Sequence, residues 1–453
     1  MKKRLGLVSL VLVLAFVITL FAGCSAKPAN DEATPDDVGA ETNAEEKETV
    51  ETENEVTSDE TETITVVVPR HELDNVGLIE SHVREFEDVH GIKVELINAG
   101  WDVCTDKIRT ELAVGGSAYD VVDFDNSLVA MYISNDWLEP LDGYEGAAEM
   151  KEGISKGLVD KFSVDGTLYG ICWNNDTHVY MYNARMLEEG GITEVPKTWD
   201  EIIEASRILI DKGICTYGMP MCFWGNGAVN EMTNIIYSFG GNAFKDGKLC
   251  IGEDPNTLEA FTYVKQMMDE GIIDPASLTY DYEAANNVFL SGESAFFVQA
   301  IAGLYVNSND PAQSNVVGEI AVAPFSVTNS DDTNVVLTVP EAFAIPKNSQ
   351  HKEAAWKFIQ FMATKEFDKT KAIELGALPV YQENFEDADV IAKYPHFEQI
   401  GKQVVFAKGI DDFTWYDEYS NVFQSELQSM LIGDITPAEC VTNIQSQCEQ
   451  FEE

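Results

Sequence analysis

From Thr63 onward, short apolar runs and amphipathic stretches take turns along the chain. Residues 63–69 (TITVVVP) form a β-branched run that predicts a buried strand, and residues 76–90 carry Ile79, Val83 and Phe86 at helical spacing. A second strand at 92–97, a second helix at 102–114 and a third strand at 119–124 follow. This order implies a parallel sheet covered by helices, with ligands beyond the carboxyl ends of its strands. Asp123, Asp125 and Asn126 occupy one such end, and Gly100-Trp101-Asp102 another.

Farther on, Thr198-Trp199-Asp200-Glu201 is a capping box opening a helix to about Lys212, with Trp199 as its entry staple. Residues 219–227 (MPMCFWGNG) form a polar-aromatic loop whose Phe223 and Trp224 line or cover a pocket. Helices are expected at 255–270, 281–290 and 351–363, the last with Trp356, Phe358, Ile359 and Met362 in the core. Strands are expected at 295–299, 319–323 and 335–345, and the tail 397–451 reads as helices.

The stretch 168–183, LYGICWNNDTHVYMYN, sets two apolar strand-like runs around the polar patch 174–178. It reads as a bridge between two lobes with a ligand site beside it. Trp173 offers a flat apolar face and Asp176 an ionised acceptor, which is the pairing a polyhydroxyl ligand requires. A surface bulge with a turn-capping Asp is the structural alternative.

Length supports two lobes: 453 residues with 45% hydrophobic composition exceed what one core usually organises. The N-terminus has Lys2, Lys3 and Arg4, an apolar run over 5–22, then Gly23-Cys24, which is the pattern of a secretory signal. Residues 25–62 hold 14 acidic side chains against Lys27 and Lys47 and no apolar periodicity, so 24–62 is expected to be an extended acidic tether. The formal charge of −49 leaves about −40 on the remainder once Lys2, Lys3, Arg4 and the tether are set aside. Nucleic acid is thereby excluded as a natural partner, because its recognition rests on a basic footprint. Beyond Cys24, seven cysteines remain without CxxC or other metal spacing, so free buried thiols, no metal and no cofactor are expected. Cys440 and Cys448 share one predicted helix, too far apart to bridge.

Several segments in order resemble the family 1 extracellular solute-binding proteins, the carbohydrate-binding lipoproteins of ABC importers. They are FEDVHGIKVELI (86–97), YDVVDFDNS (119–127), NDWLEPLD (135–142), FSVDGTLYGICWNNDTHVYMYN (162–183), PKTWDEI (196–202), NVFLSGESAFF (287–297) and AIPKNSQHKEAAWKFIQFM (344–362). LFAGC (20–24) resembles a lipobox, with Phe21 where Leu is usual.

The resemblance implies an α/β, two-lobe periplasmic-binding-protein-like fold with hinge crossings and a ligand cleft. Lobe 1 would comprise 63–173 plus 300–340, and lobe 2 would comprise 174–299 plus 341–453, after a signal peptide at 1–23. The chain would cross near 172–176, return near Gln299 and cross again near 339–344. Ligand contacts are expected at Asp125, Asn126, Trp173, Asp176, His178, Gln299, Glu341, Trp415 and Tyr416. Trp101 and Trp224 join them as aromatic candidates from their own positions, whereas Trp137 reads as core. Cys172 stands where Pro is common, and Pro340-Glu341 replaces a Gly-rich turn, so the preferred sugar does not carry over from relatives. The implied partners are a carbohydrate and an ABC permease with its ATPase, with Cys24 lipidated as the sole membrane attachment of a monomer on the extracytoplasmic face. Two other readings use the same residues: a polyamine bound by acidic and aromatic groups, and a glycosidase using Asp125 and Glu341.

Overall fold

The computed structural model describes residues 61–71, 74, 76–330 and 336–452. The expected signal peptide, nearly all of the tether and Cys24 lie outside these residues. Eight strands of three or more residues build two sheets among the described residues. They are β1 (Thr63–Val67), β2 (Lys93–Ile97), β3 (Val121–Asp125), β4 (Ile171–Asn174), β5 (Val179–Asn183), β6 (Phe296–Ala300), β7 (Ile320–Val322) and β8 (Glu341–Ala344). Ten helices reach ten residues or more: α1 (Leu78–His90), α2 (Trp101–Ala113), α3 (Trp199–Asp211), α4 (Asn226–Ser238), α5 (Pro255–Asp269), α6 (Tyr282–Ser291), α7 (Lys352–Met362), α8 (Lys365–Leu375), α9 (Tyr416–Ile432) and α10 (Pro437–Cys448).

The first sheet has the order β2-β1-β3-β8-β4. β1 pairs in parallel with β2 and β3, as the alternating pattern predicts, while β8 runs antiparallel to β3 and β4. Ile79, Val83 and Phe86 of α1 and Trp356, Phe358, Ile359 and Met362 of α7 are buried as expected. Phe86 meets Phe358 edge-on at 5.2 Å, which clamps these helices together beside the sheet. Gly170, just before β4, permits the close approach of β8: a Cβ there would lie 2.9 Å from that of Ala342. The second sheet is antiparallel, in the order β6-β5-β7, with Phe289, Leu304 and Ile320 in its own buried cluster. The capping box opens α3 as read, and α9 and α10 supply helices to the tail.

Two connections between the sheets run side by side. Residues 175–178 leave β4 for β5, and 337–340 lead into β8; the His178 N–H donates to Leu337 O at 3.0 Å and the Val339 N–H to Asp176 O at 3.2 Å. A third connection follows α8. Phe367 stacks on His82 in the first lobe, whereas Phe385, Val390 and Phe397 belong to the second lobe's cluster, and Asn175 pairs with Leu378 on the way.

The expected division of the chain is corrected here. No return to the first lobe occurs near Gln299, because β7, at 320–322, extends the second sheet, where an antiparallel partner for β5 was already available. Residues 341–362 belong instead with the first sheet through β8 and α7. The seven described cysteines are free; Cys440 and Cys448 both lie on α10, and all but the half-buried Cys250 are buried. No helix among the described residues is long and apolar enough to cross a membrane.

Candidate ligand cleft

A cavity of about 690 Å³, its mouth included, lies where the lobes meet. The first lobe contributes Pro69, Arg70 and His71 beyond β1, Trp101 at the start of α2, Asp125 at the end of β3, and Trp173 and Glu341. The crossings contribute Asp176, His178 and Val339, and the second lobe contributes Asn230 of α4, Tyr282 of α6 and Ile301. The parallel strands β1 and β3 thus deliver residues from their carboxyl ends.

The carboxylates are held from behind. Asn174 Nδ2 donates to Glu341 Oε2 at 2.9 Å and to Asp176 Oδ2 at 3.1 Å, tying the two crossings together. Lys371, buried on α8, donates to the Trp173 carbonyl and stands 4.0 Å from Asp368. Its burial lowers its pKa, and Asp368, Cys172, Asp176 and Glu341 oppose that fall. Asp125 accepts from the Ser127 backbone at 2.8 Å and from its hydroxyl, so it caps a turn and lines the cavity together. Burial raises its pKa against those hydrogen bonds. Asp123, deeper still, is pushed well up by burial and accepts from Trp173 Nε1 at 3.1 Å. His178, 3% exposed, is driven down to about 4 by burial and is neutral at pH 7.

Six expected ligand residues therefore line one cavity: Trp101, Asp125, Trp173, Asp176, His178 and Glu341. Trp173 is not an open platform, however. It is 1% exposed, stacked on Phe343 at 4.7 Å, with Lys371 Nζ 4.8 Å from its ring centre. Trp101 and Tyr282 provide the accessible aromatic walls. Four expected residues stand elsewhere. Asn126 is buried and reaches Ile410 O at 3.4 Å; Gln299 donates to Glu231 O at 3.1 Å; Tyr416 is buried at the head of α9; Trp415 packs among Phe413, Phe244, Tyr419 and Phe451. Packing of the C-terminal helices accounts for the last two. Trp224, 49% exposed, lines an adjoining chamber with Trp101 and Tyr282.

Sequence reasoning missed Arg70, His71, Asn230 and Tyr282. The strand-end rule applies to Pro69-Arg70-His71 as much as to Asp125, so that signal was present. Asn230 and Tyr282 reach the cavity only through tertiary packing, and their Nδ2 to hydroxyl bond of 2.8 Å joins α4 to α6.

Two α/β lobes, antiparallel hinge crossings and a polar-aromatic cavity at their junction define a two-lobed solute-binding protein. Residues 61–369 match the family model for bacterial extracellular solute-binding proteins, and the chain belongs to that family. A binding protein of Brucella abortus is 24% identical over 359 residues, 77% of this chain and 82% of the relative. The erythritol/L-threitol-binding protein of Mycolicibacterium smegmatis is 26% identical over 327 residues, 67% of this chain and 68% of its own length. Maltose-bound MalE3 of T. maritima superposes with a TM-score of 0.78 at 22% identity, covering 86% of this chain and 99% of that one.

Proposed function

We propose that this protein is the solute-capturing component of an ABC importer and that its solute is a sugar, a polyol or a short oligosaccharide. The observation that carries this is the cavity wall. Trp101 and Tyr282 offer apolar faces, while Asp125, Asp176, Glu341 and Asn230 offer acceptors for hydroxyl donors. Relatives named for polyol binding and a structural neighbour holding maltose support the carbohydrate class. Closure of the lobes about the crossings would trap the solute, shifting a hinge equilibrium toward the closed form, which then docks on the permease. Lipidation at Cys24 would hold the monomer on the extracytoplasmic face of the membrane.

No chemistry on the solute is involved. Relatives named for binding support that reading. Thermal unfolding against a panel of monosaccharides, sugar alcohols, oligosaccharides and polyamines tests the proposal. A solute at a hundred times its Kd adds about 2.7 kcal/mol of stability. A panel without any shift, or one in which only non-carbohydrate solutes shift, overturns it.

A further inference from the structure

The cavity does not end at Trp101 and Tyr282. These two residues and Arg70 also line a second, open chamber of about 790 Å³, its mouth included, walled further by Asp102, Val103, Trp224, Asn226, Asp281 and Glu283. The charge on this joint wall is lopsided. Asp125, Asp176 and Glu341 line the inner chamber, and Asp102, Asp281 and Glu283 the outer one. Arg70 is the single Lys or Arg side chain among the lining residues, and its guanidinium is 3.9 Å from Glu283. Behind the inner carboxylates, Lys371 is shared with Asp368. At the mouth, burial first, then the charge of Asp106 and that of Asp281 on the second lobe, raise the pKa of Asp102 on the first, against the pull of Arg109.

A second observation points the same way. Asn230 is 5% exposed and lines the inner chamber; its Nδ2 is committed to Tyr282, while its Oδ1 has no hydrogen-bond partner among the described residues. His178 lines the same chamber, with its Nδ1 also lacking a partner. A buried acceptor without a donor is costly, so the bound solute is expected to bring donors. Hydroxyls meet part of that demand. They bring no positive charge to a wall on which acidic side chains outnumber Arg70.

Building on the carbohydrate reading above, we propose that the solute is a short oligosaccharide carrying unsubstituted, protonated amino groups and spanning both chambers. Its ammonium groups lie against the carboxylates of the two chambers, where they neutralise the facing acids of the two lobes. Its rings lie against Trp101, Tyr282 and Trp224, whose faces attract a cation as well as a sugar C–H surface. Uronates and sugar phosphates are excluded by the same wall.

The test is calorimetric titration of the full-length chain with glucosamine di- and trisaccharides, their N-acetylated counterparts of equal length, a neutral glucose disaccharide and spermidine, at mildly acidic pH. Tenfold or tighter binding of the free-amine sugars over the acetylated ones is expected. That advantage should shrink severalfold when salt rises from about 20 to about 300 mM, as the screening length contracts. Asp102→Asn and Asp281→Asn should each lower affinity for the amine sugars threefold or more while moving the acetylated sugars less. Asn retains helix capping, so the Asp281 variant keeps the start of α6. Equal or tighter binding of acetylated or neutral sugars overturns this inference and leaves the carbohydrate reading standing. An amine advantage indifferent to salt and to both variants also overturns it. Spermidine outcompeting every sugar, or no sugar binding at all, overturns both.

Discussion

Among single residues, the two tryptophans nearest the cavity divide the labour differently from their sequence contexts. Trp173 stands in the central polar-aromatic stretch, yet its indole is sealed between Phe343 and Lys371 and hydrogen-bonded to Asp123. Trp101 opens α2, half-buried, and lines the cavity. Trp173→Ala should therefore cost about 3–5 kcal/mol of stability, as large buried aromatics do. Trp101→Ala should leave stability within about 1 kcal/mol and weaken solute binding tenfold or more, through lost stacking of about 0.5–1.5 kcal/mol plus apolar burial. Denaturant titration and calorimetry on the two variants separate these outcomes; a stable Trp173→Ala protein with abolished binding would reverse the assignment. Asp125 was legible as the end of a predicted strand and Asp176 from the polar patch between two apolar runs, whereas Glu341 was reached only through the family resemblance. The sealing of Trp173 was not legible, since Phe343 and Lys371 lie far from it in sequence and meet it only through β8 and α8.

At the level of elements, periodicity found what was half-exposed and missed what was wholly enclosed. α1, α3 and α7 each have one buried face and were predicted within a residue or two. α4 was not foreseen. It begins with Asn226 and Gly227, and from Gly227 to Ser238 all but Asn234 are buried, Asn230, Glu231 and Thr233 among them, so no polar stripe marks an outer face. Glu231 is the extreme case, fully buried, with neither carboxyl oxygen hydrogen-bonded to a described residue. Burial lifts its pKa well above the ordinary 4.5. The folded state therefore holds this proton at pH values where the unfolded chain releases it. Its contribution to stability is fully present below about 4.5 and is lost as pH rises toward the elevated folded value. Glu231→Gln should thus gain on the native protein across that window, by up to about 1.4 kcal/mol per pH unit. Thermal unfolding of both proteins over a pH series measures it, and a pH-independent difference would mean that Glu231 ionises normally.

For the whole molecule, the lobes are joined by more than the crossings. Arg109 of α2 forms an ion pair with Asp417 near the head of α9, and Arg70 faces Glu283 of α6 across the cleft. Neither pair is deeply buried, so each adds little to folding stability. Both bridge the two lobes, so a hinge opening would break them. Arg109→Ala should weaken solute binding severalfold through faster release, although Arg109 lines neither chamber. Stopped-flow kinetics reads this directly; an unchanged release rate would separate the pair from closure. The two-lobe architecture was legible from motif order, whereas the membership of 300–362 was not. Strand partners across a crossing are chosen by which sheet edge is open, and nothing in a local window records that.

The cysteines have a practical corollary. Six of the seven described thiols are buried, Cys250 is half-buried, and burial raises the pKa of all seven, which makes them poor nucleophiles toward alkylating dyes. With Cys24 replaced by Ser, a single new cysteine at the exposed rim position Val103 would stand out as the fast-reacting handle. A polarity-sensitive fluorophore attached there would sit at the lips of the cleft and change its emission as they meet, turning the protein into an optical gauge of its own solute.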